Sequence, residues 1–252
     1  MCATEQTTPA DSSKQLWVCQ LETVRYTQAS LIQARIRTLR QSGQLPDSLL
    51  LLEHPPVYTR GRRSCEEELP LGEDFYRSHG IEVVGTNRGG RVTYHAPGQL
   101  VGYPIMHVAD INGYLRTMET AIIAALAEHG ISGHSRSDEG PDYTGVWVED
   151  RKIASIGVHV SQGIATHGFA VNIENDLEPF QWVIACGLAG VQMTSLEREL
   201  ARPHGDLVGS FREVMASCFC EAHARSERAV SPTQLHIEDL LAEAQRQQVV
   251  SV

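Results

Sequence analysis

The sequence has no long hydrophobic run, and its longest apolar stretch, AIIAALA at residues 121–127, is far too short to cross a membrane. Basic residues are also scarce, because 21 lysines and arginines stand against 31 aspartates and glutamates, for a formal net charge of -10. A nucleic-acid-binding protein needs a broad positive field that neutralises phosphates. We therefore expect neither a membrane nor a nucleic acid as partner.

The six cysteines follow no regular spacing, and no apolar segment stands behind basic residues at the N-terminus, as it would in a secretory signal. Both absences predict a reducing, cytoplasmic environment. Cys218 and Cys220 are too close together for the usual zinc motif, and no pair of histidines follows them at zinc-finger spacing. We interpret them as buried thiols of a helix, and the sequence predicts neither a metal nor a cofactor.

Hydrophobic periodicity predicts a mixture of helices and strands in a chain long enough to bury one core. Apolar residues at three- and four-residue intervals favour helices over residues 26–41, 112–130 and 205–224, the second with Asn112 as its N-cap. Strand-like runs lie at residues 16–24, 48–54, 81–84, 99–106, 145–150, 153–162 and 164–174. This order predicts a single α+β domain, with helices on one face of a largely antiparallel sheet.

Two local features refine this prediction. Pro104 lies inside the 99–106 run, which indicates an edge strand or a bulge, because proline cannot donate a ladder hydrogen bond. Residues 1–15 are polar and show no hydrophobic period, so we expect a disordered leader before the folded domain.

Residues 88–104, RGGRVTYHAPGQLVGYP, combine a bare backbone with reactive side chains. The stretch has the spacing of neither a P-loop nor a dinucleotide-binding loop, and it leads into a strand, so it does not predict a phosphate site. Two explanations remain open. The glycines could let an extended apolar or acyl ligand approach the backbone, or they could simply form two tight turns. In the first case the polar rim would consist of Arg88, Thr93, Tyr94 and His95.

Lys152 and Cys186 are the candidates for proton transfer and nucleophilic attack. Alternation along the strand puts Lys152 on the side of four apolar residues, and such desolvation disfavours the charged form of a lysine. Those four residues are Ala154, Ile156, Val158 and Val160. Cys186 stands at a bend beside Gly187, where a substrate could reach it and a nearby cation could stabilise its thiolate. The alternatives are a lysine that extends to water and an ordinary buried cysteine.

Three histidines near these candidates are ambiguous. His95, His159 and His167 each fit either a general base or a hydrogen-bonded residue of a strand. Because His159 lies on a strand of regular alternation, the second interpretation is favoured for it. The residues alone do not decide between the two roles for His95 and His167.

Three segments together resemble the lipoyl(octanoyl) transferase family, over roughly residues 16–220. They are RGGRVTYHAPGQLVGYP, GVWVEDRKIASIGVHVSQGIATHGFAVNI and ACGLAGVQMTSL, in that order. The first carries the motif R-G-G-x-x-T-Y-H-x-x-G-Q-x-V-x-Y without departure. Ala185 stands where proline is common in the family, and Ala96 where glycine is common, but neither change removes a reacting group. The resemblance implies a biotin/lipoate protein ligase-like fold, with a catalytic domain over residues 16–225 and a C-terminal extension of unassigned role over 226–252.

The resemblance also implies an activity. The family transfers an octanoyl group from octanoyl-acyl carrier protein to a lysine of lipoyl domains, through a cysteine thioester and without a metal or cofactor, and we expect a monomer. By position, Cys186 corresponds to the nucleophile and Lys152 to the group that promotes its deprotonation. The implied substrate-binding residues are Arg88, Gly89, Gly90, Arg91, Val92, Thr93, Tyr94, His95, Ser155, Ile156, Gly157, Gly168, Phe169 and Ala170.

Other functions stay open beside this one. An ATP-dependent lipoate or biotin ligase would share the fold but needs a nucleotide-phosphate loop, which the sequence lacks. A non-catalytic acyl-binding protein would have no use for both Cys186 and Lys152. Because this chain and its expected partners are acidic, docking would need a local basic patch. We hypothesise that Arg60, Arg62 and Arg63, with Arg88 and Arg91, form that patch at the rim of the site.

Overall fold

The computed structural model describes residues 14–188, 190–201 and 205–242. The predicted leader lies almost wholly outside the described residues, as do residues 243–252 of the predicted extension. The α-helices are α1 (Tyr26–Gln41), α2 (Glu73–Ser78), α3 (Ile111–Glu128), α4 (Leu196–Glu199) and α5 (Leu207–Ala222). The strands are β1 (Gln15–Thr23), β2 (Ser48–Glu53), β3 (Val57–Arg60), β4 (Glu82–Gly85), β5 (Thr93–His95), β6 (Gln99–Ile105), β7 (His134–Ser135), β8 (Gly145–Val148), β9 (Arg151–Ser161), β10 (Ile164–Asn172), β11 (Gln192–Met193) and β12 (Ser226–Ala229).

One large sheet runs through the molecule in the order β12-β1-β2-β6-β10-β9-β8-β7, and β11 pairs with β9 beside this path. Neighbouring strands from β2 to β7 are antiparallel, whereas β12, β1 and β2 are parallel to one another. The three long strands predicted as an antiparallel meander are β8, β9 and β10. The predicted α+β fold with a largely antiparallel sheet is therefore confirmed.

Helices cover both faces of this sheet, so the expectation that they share one face is wrong. Along β2, Leu49 and Leu51 belong to the core that α3 and α5 cover, whereas Leu50 and Leu52 belong to the core under α1. All four are fully buried. A continuous apolar run such as SLLLL is typical of a strand that is buried on both faces, and it leaves room for a helix on each.

A second, small sheet in the order β4-β3-β5 packs beside the large one. Its core is rich in tyrosine and contains Tyr58, Tyr76 and Tyr94. The glycine-rich stretch joins β4 to β5 and then leads into β6, so it crosses from the small sheet to the large one. Its Gly89 N–H donates to Val158 O of β9 at 2.8 Å, which fixes the stretch over the strands that carry the candidate site.

Two of the local predictions need correction. Pro104 lies in a central strand, since β6 pairs with both β2 and β10, so it marks no edge. The β6–β10 ladder instead stops at Gly102 and Phe169, before Pro104, which has no N–H to donate. The N-cap of α3 is Asp110 and not Asn112, because the Asp110 carboxylate accepts from the N–H groups of residues 112 and 113.

The described part of the predicted extension packs on the same sheet as the rest. Strand β12 pairs with β1, and Leu235 and Ile237 are fully buried in the core under α1. The Arg35 side chain of α1 forms an ion pair with Asp239, with 2.6 Å between Nη1 and Oδ1. Among the residues that the structure describes, none of the helices has the length and apolar character needed to cross a lipid bilayer.

We predict that Gly168→Ala destabilises the fold by about 3 kcal/mol, the upper end of the usual cost of overpacking a core. A Cβ at Gly168 would overlap Gly102 O and would lie 2.5 Å from Pro104 Cδ, between two central strands. Gly85→Ala is the matched control, since a Cβ there meets nothing within 4 Å and should change stability by less than about 0.5 kcal/mol. The midpoints of urea unfolding compare the stability of the two variants, and equal midpoints would contradict the prediction.

Candidate active site

A cleft lies between the glycine-rich stretch and strands β9 and β10. Both candidate reactive residues, Lys152 and Cys186, line it. The remaining lining residues are Tyr26, Arg63, Arg88, Gly90, Arg91, Val92, Thr93, His95, Val101, Tyr103, Pro141, Asp142, Thr144, Ser155, Ile156, Gly157, His167, Gly168, Phe169 and Ala170.

Arg88 holds the glycine-rich stretch in its folded form. Its side chain is only 7% exposed, and Nη2 donates to Thr59 O at 2.6 Å and to Arg91 O at 2.7 Å, while Nη1 donates to Gly89 O at 2.9 Å. Gly90 follows with a φ of 83°, a conformation that favours glycine. The hypothesis that Arg88 belongs to an exposed docking rim is therefore wrong, because carbonyl groups of its own loop occupy the guanidinium.

Lys152 reaches the cleft because β9 contains a bulge. Trp147 of β8 pairs with Lys152, but Val146 pairs with Ala154, so Ile153 is one residue more than β8 can match. Such an extra residue reverses which face the following side chains occupy. Lys152 therefore lies on the face opposite to Ala154, and the prediction that it shares the apolar side is wrong.

The lysine is nevertheless almost fully buried, with 1% of its surface exposed. Nζ lies 3.4 Å from Asp142 O and 5.3 Å from the centre of the Trp147 ring. Gly145 on β8 leaves space for it, because a Cβ there would lie 2.8 Å from Lys152 Cε. The Lys152 amine is therefore held inside the protein, between a backbone carbonyl and an aromatic ring.

Cys186 sits in a short turn, Ala185–Gly187, with a left-handed backbone of φ 57° and ψ 12°. Its N–H donates to Val92 O of the glycine-rich stretch at 2.9 Å, and its Sγ lies 3.8 Å from Ser155 Oγ of β9. A left-handed non-glycine residue is uncommon, and such residues concentrate at functional sites. The predicted bend is present, and it places the thiol at the wall of the cleft.

The inner end of the cleft is a cluster of aromatic and histidine rings from α1, β5, β6, β10 and the loop after β2. Its buried members are Tyr26, His54, His95, Tyr103 and His167. His167 Nε2 lies 2.6 Å from Asn87 Oδ1, and His54 Nε2 lies 2.6 Å from the Tyr103 hydroxyl. Burial is the largest cause that lowers the pKa of His54, to about 4, and of His167, to about 3. Burial also lowers the pKa of His95, so all three rings are neutral at pH 7.

The predicted substrate-binding residues fall into three strands and loops that meet around this cleft, and all but Gly89 and Tyr94 line it. Alternation along β5 turns Thr93 and His95 towards the cleft and Tyr94 away from it. Tyr94 packs against Tyr58 and Phe180 in the small-sheet core, so the expectation that it belongs to the polar rim is corrected. Gly89 instead permits contact between the loop and β9.

Several lining residues were not singled out from the sequence. Tyr26 looked like one residue of a buried helix stripe, and Asp142 and Thr144 lie in the irregular segment before β8. A helix stripe that contains a tyrosine gives no sign that the ring ends in a cavity. The segment G-P-D-Y-T-G, rich in turn-forming residues, was the available signal for a loop at the site.

Ion pairs modify the basic rim predicted around the mouth. Arg63 Nη2 lies 2.8 Å from Asp142 Oδ1, and Arg91 Nη1 lies 2.8 Å from Glu68 Oε1. Arg60 is only partly exposed, whereas Arg62 is exposed and has no ion pair with the residues that the structure describes. Of the five arginines in the hypothesis, Arg62 has the most available charge.

Residues 25–220 match the family model of the lipoyl protein ligase A/B catalytic domain. The chain therefore belongs to this family. An octanoyltransferase of Rubrobacter xylanophilus is 47% identical over 200 residues, which cover 75% of this chain and 89% of that protein. An octanoyltransferase of Corynebacterium glutamicum is 38% identical over 208 residues, which cover 77% of this chain and 79% of that protein. The family resemblance expected from the motifs is confirmed.

Solved structures of lipoate ligases share the fold. A bi-partite lipoate protein ligase from Thermoplasma acidophilum superimposes with a TM-score of 0.70 at 19% identity, covering 91% of each chain. A lipoate-protein ligase A bound with ATP gives a TM-score of 0.66 at 17% identity, covering 92% of this chain and 93% of that one. At such identities the likeness establishes the fold alone, and it confirms the predicted ligase-like architecture.

The buried neutral histidines predict that stability falls on mild acidification. In the unfolded chain a histidine takes up a proton near pH 6.5, whereas folded His54 and His167 stay neutral down to about 4 and about 3. Protons therefore favour the unfolded state below pH 6.5, by about 2 kcal/mol per histidine at pH 5. The free energy of urea unfolding should be clearly lower at pH 5 than at pH 7.

His54→Gln removes one of these groups and should shrink the difference between pH 7 and pH 5 by about 2 kcal/mol. His107→Gln, which removes an exposed histidine, serves as the control and should leave the difference as in the wild type. Equal stability of the wild type at the two pH values would contradict the neutral burial of these rings.

Proposed function

We propose that this chain transfers an octanoyl group from octanoyl-acyl carrier protein to a specific lysine of lipoyl-domain proteins. The observation that carries the proposal is that a thiol and a buried amine, those of Cys186 and Lys152, line one cleft. Similarity to octanoyltransferases over three quarters of the chain supports the same reaction. The acceptors that we expect are the lipoyl domains of 2-oxoacid dehydrogenases and the glycine-cleavage H protein.

In the first half-reaction, the Lys152 amine takes the proton of the Cys186 thiol. The thiolate attacks the carbonyl carbon of the carrier's thioester and forms a new carbon–sulfur bond. The bond from that carbon to the pantetheine sulfur then breaks, and the leaving sulfur takes the proton back from Lys152. An S-octanoyl enzyme remains, with the acyl chain in the cleft.

Two hydroxyl groups are available to the oxyanion that forms in this step. The Cys186 N–H is already bonded to Val92 O, and the Gly187 N–H lies 3.4 Å from Ile184 O. The Ser155 hydroxyl lies beside the sulfur, and the Thr93 hydroxyl has no hydrogen-bond partner among the described residues. A donor aimed at such an oxyanion typically contributes about 3 kcal/mol to catalysis.

In the second half-reaction, the neutral amine of the target lysine attacks the S-octanoyl carbonyl carbon. An amide bond forms, the carbon–sulfur bond to Cys186 breaks, and the proton lost by the nitrogen passes through Lys152 to the sulfur. Because an amide is more stable than a thioester, the exchange is downhill and requires no ATP. The cleft holds the acyl group in place between the two halves of the cycle.

The two other candidate functions predict different chemistry. An ATP-dependent ligase of this fold would activate a free acid and release AMP, whereas the proposed transfer starts from a thioester. A non-catalytic acyl-binding protein would hold the acyl chain without forming a bond to Cys186. Neither alternative gives a role to a buried lysine and a thiol that line the same cleft.

We also propose that exposed arginines near the mouth attract the carrier. The chain has a net charge of -10, so an acidic carrier requires a local positive field. Arg62 and Arg63 are both exposed, and Arg63 lines the mouth. Because Asp142 partly neutralises Arg63, Arg62 is the stronger candidate for this contact.

Incubation with octanoyl carrier protein, without ATP, should leave one hydroxylamine-labile octanoyl group on the wild-type chain, observed by intact-protein mass spectrometry. The label should disappear when a lipoyl domain is added, because the acyl group moves to the acceptor lysine. Cys186→Ser should carry no labile adduct, since an oxygen ester resists hydroxylamine under the same mild conditions.

Cys65→Ser is the matched control, because Cys65 is an exposed thiol that does not line the cleft. This variant should acquire the label as the wild type does. The thioester cycle is rejected if the wild type carries no labile adduct, or if Cys186→Ser carries as much of it as the wild type.

A further inference from the structure

One residue lines both the cleft and a second cavity. This cavity lies between α1 and the segments 85–87 and 166–167. Among the described residues, His167 is the only one that lines both spaces. Its side chain therefore forms part of the partition between them.

His167 holds this position through an irregular backbone. Regular alternation along β10 would put it on the face of Phe169, which packs towards Phe219 of α5. Its φ of 58° breaks the alternation, and Nδ1 lies 3.3 Å from the Tyr26 hydroxyl of α1. Nε2 contacts Asn87 Oδ1, and the His167 N–H donates to Gln33 Oε1 at 2.7 Å. These three contacts hold the ring in place and keep the His167 backbone in the left-handed conformation, which histidine tolerates better than most residues.

The position of this partition matches the length of an octanoyl chain. Cys186 Sγ lies beside Ser155, which pairs with Ala170 of β10, and His167 is three residues further along the same strand. At about 3.3 Å per residue, this step is about 10 Å. An extended eight-carbon acyl group is about 9 Å long, if each carbon–carbon bond is about 1.5 Å.

The other rings at the inner end have protein behind them. Tyr103 backs onto His54, whose Nδ1 lies 2.6 Å from Val24 O, and His95 Nδ1 lies 2.7 Å from Gln99 Oε1. An acyl chain that displaced either ring would meet the packed core. His167 instead has the second cavity beside it.

We propose that His167 sets the upper limit of acyl chain length, by closing the cleft at the depth that eight carbons reach. The inference rests on the proposed function and adds its specificity determinant. Removal of the imidazole joins the two cavities and lets a chain of ten or twelve carbons extend past Asn87. The ring's neutral state, held by burial, makes it compatible with the methyl end of the chain.

His167→Gly tests the proposal, since glycine accepts a φ of 58° without strain. The measurement is kcat/KM for octanoyl, decanoyl and dodecanoyl carrier protein, with a lipoyl domain as acceptor. Each methylene that becomes buried contributes up to about fourfold. We therefore expect the decanoyl-to-octanoyl ratio to rise about tenfold over the wild type, and the dodecanoyl ratio to rise further.

His159→Ala is the matched control, because His159 lies on the neighbouring strand and lines neither cavity, and its ratios should equal those of the wild type. If His167→Gly does not fold, His167→Asn replaces it, since asparagine is smaller than histidine and also tolerates positive φ. The decanoyl-to-octanoyl ratio of His167→Asn should rise less but in the same direction.

Unchanged ratios in the folded variant, with octanoyl transfer by the wild type intact, overturn the proposal. A wild type that transfers no octanoyl group would instead refute the proposed function.

Discussion

The candidate site depends on places where the backbone departs from regular strand geometry. One extra residue at Ile153 turns Lys152 out of the apolar face, and a left-handed His167 turns its ring towards α1. A second left-handed residue, Cys186, lines the cleft with its thiol. Strands that alternated regularly would direct Lys152 and His167 into the core under α3 and α5, and the cleft would lose the two side chains that we propose as its base and its end wall.

These irregularities have a cost that the surrounding structure must offset. A left-handed non-glycine residue costs of the order of 1 kcal/mol or more, and three neutral histidines are buried near one guanidinium. Arg88 is satisfied by carbonyl oxygens of its own loop and of Thr59 in β3, and each of the three histidines has a hydrogen-bond partner. The inner end of the cleft is therefore formed by hydrogen-bonded rings that carry no charge, next to the buried guanidinium of Arg88.

The sequence predicted the elements well because their patterns are local. The helix at 26–41 and the three-strand meander carry strong periodicity, and the structure has them within two residues of the predicted bounds. The resemblance placed Lys152 and Cys186, which spacing alone left undecided. The hydrophobic pattern could not predict the bulge at Ile153, because nothing in EDRKIAS marks where one strand carries an extra residue. It also could not show that Tyr94 faces a second core or that Arg88 is buried, because both depend on how the small sheet packs on the large one.

The central claim is that Lys152 takes the proton of Cys186, and the reactivity of the thiol measures this most directly. Cys65 is exposed and serves as an internal reference on the same chain, so the rates of iodoacetamide modification at the two cysteines can be compared by peptide mass spectrometry at neutral pH. The account predicts that Lys152→Met lowers the Cys186 rate relative to Cys65 by about tenfold, because the thiol loses the group that takes its proton. A ratio equal to that of the wild type, in a folded Lys152→Met protein, would contradict it.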